Sequence, residues 1–279
     1  MTPMPIRLLL IFSFIYYCVK IRTNPARYFQ INAQYFNKTK GIFSKLDIDR
    51  LIPPRWLLRQ CLDTGQTLDF TYPVFVKPEW GQNGYGIRRA DSPAELEEIR
   101  RLCVCKKMPC IIQEAATETR EFEIFFVLCA EDESKPAVLS VTEAHNSGQQ
   151  KLPINSINNS NTIYREITES FNAAELETIW QHVSSFGRFG ISRVGVRANS
   201  VADLVKGDFH VIEINLFVPL PINLLDPNKT HKQRISIALN TTRNLAQIVK
   251  SIPDSHPVQS VFLKKWLVAR KVKMLAVTR

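Results

Sequence analysis

Short apolar runs bounded by turn signals set the strongest limit on this fold. Residues 72–77 (YPVFVK), 110–113 (CIIQ), 122–128 (FEIFFVL), 194–197 (VGVR) and 210–214 (HVIEI) are rich in β-branched and aromatic residues and too short for helices. They read as strands, with extended chain resuming at 87–90. Helices are fewer. Ser92-Pro93-Ala94-Glu95 forms a capping box with Pro at the first helical position and opens a helix to about residue 103. Asn172 with Glu175 opens another, to about residue 186, and residues 231–252 and 55–62 also read as helical. Residues 143–161, crowded with Asn, Gln and Ser, read as a long polar loop, and 199–208 as a polar turn between two paired strands. Strands outnumbering helices, without a regular alternation, predict an α+β fold.

Of the 279 residues, 45% are hydrophobic and 22% charged, which suits a folded chain and excludes a disordered or collagen-like one. The length allows one large domain or two smaller ones. Six Cys do not make a disulfide scaffold at this length. Cys103, Cys105 and Cys110 lack zinc spacing and read as thiols in a reducing compartment.

The formal charge of +10 is uneven: residues 261–279 hold six basic residues and no acid, and ten less six leaves +4 on the body. Phe262, Leu263, Trp266, Leu267 and Leu275 interleave with those charges. The pattern fits a membrane-surface helix better than a nucleic-acid arm, the other possibility being a terminal helix packed on its own domain. At the other end, residues 8–19 (LLLIFSFIYYCV) are uncharged between Arg7 and Lys20. Twelve helical residues reach about 18 Å, short of the ~30 Å hydrocarbon core. A buried first helix or an in-plane anchor is expected. Together the two ends suggest peripheral attachment to an anionic membrane surface, on its cytoplasmic face.

Three constellations carry candidate chemistry. Three of only ten Gly, namely Gly81, Gly84 and Gly86, fall within six residues, just after Lys77 ends an apolar strand. Such a loop lets backbone N–H groups approach phosphate oxygens, although it could equally be a hairpin tip. Its order is neither that of Walker A nor that of the protein kinases. Glu114 and Glu121 stand at facing strand ends, where they could accept hydrogen bonds from ribose or adenine or simply be solvated. Glu213 and Asn215, two apart on a strand, share one face while Ile212 and Ile214 take the other. A carboxylate and an amide side by side are a hard-oxygen pair suited to Mg²⁺.

The order strand-Lys-Pro, Gly loop, Glu-x6-Glu-Phe, Arg-Val-x-Val, Glu-x-Asn resembles that of the ATP-grasp superfamily, within it the D-alanine–D-alanine-ligase-like carboxylate–amine ligases, over residues 44–225. The resemblance implies two α+β subdomains clamping ATP behind a much reduced N-terminal domain. The divisions it implies are an apolar segment at 1–44, a first subdomain at 45–113, a second at 114–255 and a basic tail at 256–279. Lys77 would contact the ATP phosphates and Gly81, Gly84 and Gly86 would close over them. Lys45, or less readily Lys38, would be a second phosphate lysine, and Lys151 a further basic contact. Gln113, Glu114, Ala115 and Ala116 would form the adenine-side hinge, and Glu121 would hold the ribose. Glu213 and Asn215 would bind Mg²⁺, and Arg193 would stabilise an acyl phosphate. The implied reaction is ADP-forming: a small-molecule carboxylate takes the γ-phosphoryl group, and an amine, or a thiol, then displaces phosphate.

Three departures stand out. Gly195 occupies the place of a metal-binding Asp, LFVPLP follows Asn215 where relatives have a Pro-Gly turn, and only about forty residues precede Lys45. The first leaves a degenerate nucleotide-binding or membrane-peripheral module as the alternative to an active ligase.

Overall fold

Two antiparallel sheets carry the strands, and the chain is α+β as its pattern predicts. The structure, a computed structural model, describes residues 3–80, 84, 86–102, 109–149, 152–255 and 260–263. The smaller sheet holds β1 (Gln60–Leu62), β2 (Val74–Pro78), β3 (Arg88–Ala90) and β4 (Cys110–Glu114) in the order β1-β4-β2-β3, with α3 (Pro93–Leu102) following β3. The larger holds β5 (Arg120–Leu128), β6 (Pro136–Asn146), β7 (Thr162–Glu166), β8 (Ile191–Ala198) and β9 (Phe209–Asn215) in the order β7-β6-β5-β8-β9. Its helices are α4 (Ala173–Ser184), α5 (Val201–Lys206) and α6 (His231–Ser251). Ahead of both sheets come α1 (Pro3–Lys20) and the short α2 (Lys45–Asp49).

The capping signals act as expected in the second half of the chain. Asn172 and Thr230 each make a reciprocal capping box at the start of α4 and α6. Trp56 anchors the segment before β1: its ring stacks on Phe209 at 5.0 Å, and its indole N–H donates to the Gly207 carbonyl at 2.7 Å. That anchor corrects the helix expected at 55–62, since the chain makes only a single tight turn at Pro54–Trp56 and then joins β4 as β1. Strand β6 also takes the first four residues of the expected polar loop at 143–161, and β7 follows directly after that loop. The turn at 199–208 contains α5, capped by Ser200 and closed by Gly207 in the left-handed region at φ 84°.

Two cysteine and terminus expectations need comment. Cys18, Cys61 and Cys129 are free thiols, but Cys110 is disulfide-bonded, which corrects the reading of that cluster as thiols; Cys103 and Cys105 lie outside the described residues. Helix α1 packs on α6, burying Ile6, Ser13 and Cys18, and the Thr242 hydroxyl of α6 donates to Ser13 Oγ at 3.1 Å. Its outer face leaves Met4, Phe12, Tyr16 and Val19 exposed. Among the described residues no helix is long and apolar enough to cross a membrane. Most of the basic tail, from residue 264 onward, lies outside the described residues.

Candidate functional site

The site is built where α2 and the smaller sheet face the larger sheet. Ser44 caps α2 by accepting from the Asp47 amide, and its hydroxyl and the Lys40 ammonium both contact the buried carboxylate of Glu79, just beyond β2. The Lys45 amide donates to the Glu79 carbonyl at 3.2 Å, which ties the start of α2 to the end of β2. Lys45 Nζ then reaches Glu213 Oε1 at 2.9 Å. Lys77, on β2, donates to Gln113 Oε1 at 2.6 Å and to the Ile212 carbonyl at 3.2 Å. From Gln113 a line of hydrogen bonds runs on: Gln113 Nε2 donates to Gln60 Oε1, and Gln60 Nε2 to Asp49 Oδ2, both at 2.9 Å.

These groups are buried together, and their acidities show it. Burial, then repulsion from Lys45, lowers Lys77 to about 8, against attraction from Glu213 and Asp49. Burial lifts Asp49 to about 6 despite its Gln60 hydrogen bond and the nearby lysines. Burial also acts against ionised Glu213, but Lys45, Arg193 and Lys77 overcome it and hold that carboxyl at about 2. The site therefore carries a firmly ionised carboxylate beside two lysines.

The larger sheet supplies the opposite wall through its two-residue period. Glu121 and Glu123 share one face of β5; Arg197, Gly195 and Arg193 share that face on β8. The register sets Gly195 between Glu123 on one side and Glu213 on the other. Glu121 pairs with Arg197 at 3.0 Å, both buried. Glu123 Oε2 lies 3.1 Å from Arg193 Nε, a charge contact without an aligned hydrogen bond for either atom. Burial raises Glu123 to about 7, with Arg193 opposing. A Cβ built on Gly195 would meet Ile212 Cγ1 at 3.3 Å and Glu123 Oε2 at 3.6 Å. Gly195 thus stands beside the Glu123 carboxylate of the adjacent strand.

Seven of the residues singled out in the sequence border one crevice of about 80 Å³. Lys45, Lys77 and Glu213 line it from α2, β2 and β9; Gln113, Glu114 and Ala116 line it from β4 and the connection after it; Glu121 lines it from β5. Ala115 does not; its amide donates to the Pro73 carbonyl at 3.0 Å. The Glu114 carboxylate accepts from the Thr71 amide at 2.8 Å. Gly84 and Gly86 adopt φ 70° and 77°, the left-handed region that favours glycine, and a Cβ on Gly84 would come within 2.9 Å of Ser156 Cβ. Gly81 and Lys151 lie outside the described residues. Lys38 is exposed and borders no part of the crevice. Arg193 and Asn215 sit just past it, opposite each other in the ladder, with the Asn215 Nδ2 buried and unpartnered.

Two charged lining residues were given no role in the sequence, Glu123 and Arg197, and the signal for both was their two-residue spacing from Glu121 and Gly195. One orientation needs correcting. Ile214 does face the core, but the ladder shifts register between Gly195 and Val196, and Ile212, the unpaired residue of that bulge on β9, lines the crevice instead.

Comparison with solved structures returns weak likenesses at low identity. The VanG D-Ala:D-Ser ligase from Enterococcus faecalis is 12% identical, with a TM-score of 0.49, over 78% of this chain and 68% of that one. The D-alanine–D-alanine ligase from Bacillus anthracis complexed with ATP is 13% identical at TM-score 0.47, over 80% and 67%. The same ligase without that description of a complex gives 12% at 0.48, over 80% and 68%. No family model and no curated protein matches the sequence.

Proposed function

We infer that this chain is an ATP-dependent, ADP-forming ligase of the ATP-grasp type that joins a small-molecule carboxylate to an amine. The observation that carries this reading is the convergence of two lysines and one ionised glutamate on a crevice between two sheets, along whose edge runs the β4–β5 connection. Phosphoryl transfer asks a protein mainly for positioning and charge neutralisation, and this is the equipment present. In this reading Lys45 and Lys77 hold the β- and γ-phosphates. Gln113 to Ala116 border the base, and Glu121, kept in place by Arg197, faces the ribose. Arg193 neutralises the acyl phosphate and orients the carboxylate before it.

The residues fit one Mg²⁺. Glu213 is ionised, Asn215 carries an amide oxygen two residues along the same strand face, and Glu123 stands beside Gly195 on the neighbouring strand. Among the described residues no group of three or more His, Cys, Asp or Glu gathers as a metal centre, and Mg²⁺ needs only one or two carboxylates alongside phosphate and water. Glu213 and Asn215 would hold the ion, with Glu123 the nearest further carboxylate. When bound, the ion supplies charge neutralisation on the phosphoryl oxygens.

Gly195 is also the observation that favours the second reading, a nucleotide-binding module without turnover. ADP release, measured against a panel of amino acids, dipeptides and sugar acids, separates the two: release that depends on one carboxylate and one amine supports the ligase, and none with any pair supports the module. Gly195→Asp gives a finer test. An Asp there sets a new carboxylate against Glu123, so the ligand-free variant is expected to melt about 3–8 °C lower, with Glu123→Gln in the double variant recovering most of the loss. Unchanged melting in the single variant would mean that the two carboxylates do not meet.

The exposed apolar face of α1 supports attachment to the cytoplasmic face of an anionic membrane. Cosedimentation with vesicles containing anionic lipid is expected, falling as salt rises from 0.05 to 0.5 M because the basic tail's share of the attraction is screened, to a Debye length of about 10 Å at 0.1 M. Binding that ignores both salt and lipid charge would remove the electrostatic part of this reading.

A further inference from the structure

A second cavity, of about 510 Å³, lies beyond the crevice on the same face of the larger sheet. The two-residue period shows the continuity. On β5, Glu121 and Glu123 line the crevice and Phe125, next on that face, lines the cavity. On β8, Arg197 and Gly195 line the crevice and Ile191 lines the cavity, with Arg193 between them. Beyond β9, Phe217 lines the cavity two residues after Asn215. One sheet face therefore changes from ionic to apolar across a single guanidinium. Arg193 is 8% exposed; its Nε lies 3.1 Å from Glu123 Oε2 without an aligned hydrogen bond, and its NH1 makes a long contact, 3.5 Å to the Leu220 carbonyl.

The other walls come from α1, α6 and the LFVPLP run, which departs from the Pro-Gly turn of the resembling ligases. Pro25, Ala26, Tyr28 and Phe29 add to the lining; among the described residues its hydroxyls are those of Tyr28, Thr241 and Thr242, and Thr242 is already bonded to Ser13 and to the Ala238 carbonyl. Such a space offers an amino acid or a sugar little to hydrogen-bond beyond the Tyr28 and Thr241 hydroxyls, and burying their many polar groups there would be costly. Its volume falls within the range of ligand sites. It opens outward beside α1, where Ile11 and Ile15 line it while remaining 52% and 41% exposed.

We propose that the substrate is a long-chain amphiphile, an alkyl or acyl chain bearing a carboxylate, whose chain fills this cavity and whose head lies at Arg193 facing the crevice. That the head is then activated rests on the ligase reading; that the chain binds does not.

The test uses the full-length protein and cis-parinarate, a fluorescent eighteen-carbon carboxylate, with Mg-ATP melting read in parallel on the same sample. Saturable one-to-one binding is expected, displaced by dodecanoate at least tenfold better than by dodecanol and not by butyrate. Ala26→Trp and Ile11→Trp place bulk at exposed positions on the cavity rim and are each expected to weaken parinarate at least tenfold while leaving the Mg-ATP shift intact. Absence of saturable binding with the Mg-ATP shift preserved overturns the proposal and spares the ligase reading. So does binding that neither rim variant weakens. Parinarate binding without any Mg-ATP shift does the reverse.

Discussion

Millimolar Mg-ATP is expected to raise the melting temperature of this protein by about 5–10 °C, and Lys77→Ala to abolish the rise. A ligand present at a hundred times its Kd stabilises by about 2.7 kcal/mol, and each kcal/mol moves the melting temperature of a chain near this size by about 2–4 °C. Lys77 faces the crevice with its ammonium held only by Gln113 Oε1 and a backbone carbonyl. Its removal leaves two neutral acceptors rather than an orphaned ion, so the fold should survive while the phosphate contact is lost. The rise should also shrink as pH passes about 8, where Lys77 loses its proton. Without nucleotide the sign reverses. The folded pKa lies below the ordinary 10.5, so the unfolded chain binds more protons between those values and stability increases with pH across that window. A full Mg-ATP shift in Lys77→Ala, or one that is flat from pH 7 to 9, would remove Lys77 from the nucleotide contact.

Glu213→Gln should lower ADP release by about 10²–10³-fold, the loss typical of deleting one preorganised electrostatic partner. Stability gives an independent readout. Glu213 is held at about 2 against an ordinary 4.5, so its contribution is fully present above 4.5 and is lost as pH falls toward 2. The Gln variant should show a flatter acid limb in that window. It should also shift the alkaline limb of Mg-ATP binding to lower pH, because Lys77 loses an attraction that supports its charge. An unchanged rate of ADP release with a flattened acid limb would mean that Glu213 only balances Lys45 and Lys77.

The sequence made the apolar strands readable and hid those whose side chains are polar. Strands β2, β4 and β5 announce themselves through continuous apolar runs. Strand β6 does not, because Ser140, Thr142 and Glu143 sit in its buried middle. The burial of Glu143 depends on a partner on another strand: it accepts from Arg120 Nε and NH2 at 2.6 and 2.8 Å. Strand β1 is only three residues long and exists through its pairing with β4, about fifty residues later, which no local pattern encodes. The site residues were easier to find than their arrangement. Lys77, Glu121 and Glu213 could be picked out by spacing and Lys45 through the family resemblance, but the juxtaposition of Gly195 with Glu123 comes from strand order, since β5 and β8 are adjacent in space and separated by two strands and a helix in sequence.

The hydrogen-bonded line from Lys77 through Gln113 and Gln60 to Asp49 has a calorimetric consequence. It ends in two groups poised near neutrality, one an amine and the other a carboxyl. An incoming triphosphate favours the protonated amine, so at pH 8 complex formation must draw hydrogen ions from the medium. The heat recorded on titration will then differ between Tris and phosphate in proportion to their ionisation enthalpies, and the slope of that dependence counts the hydrogen ions taken up.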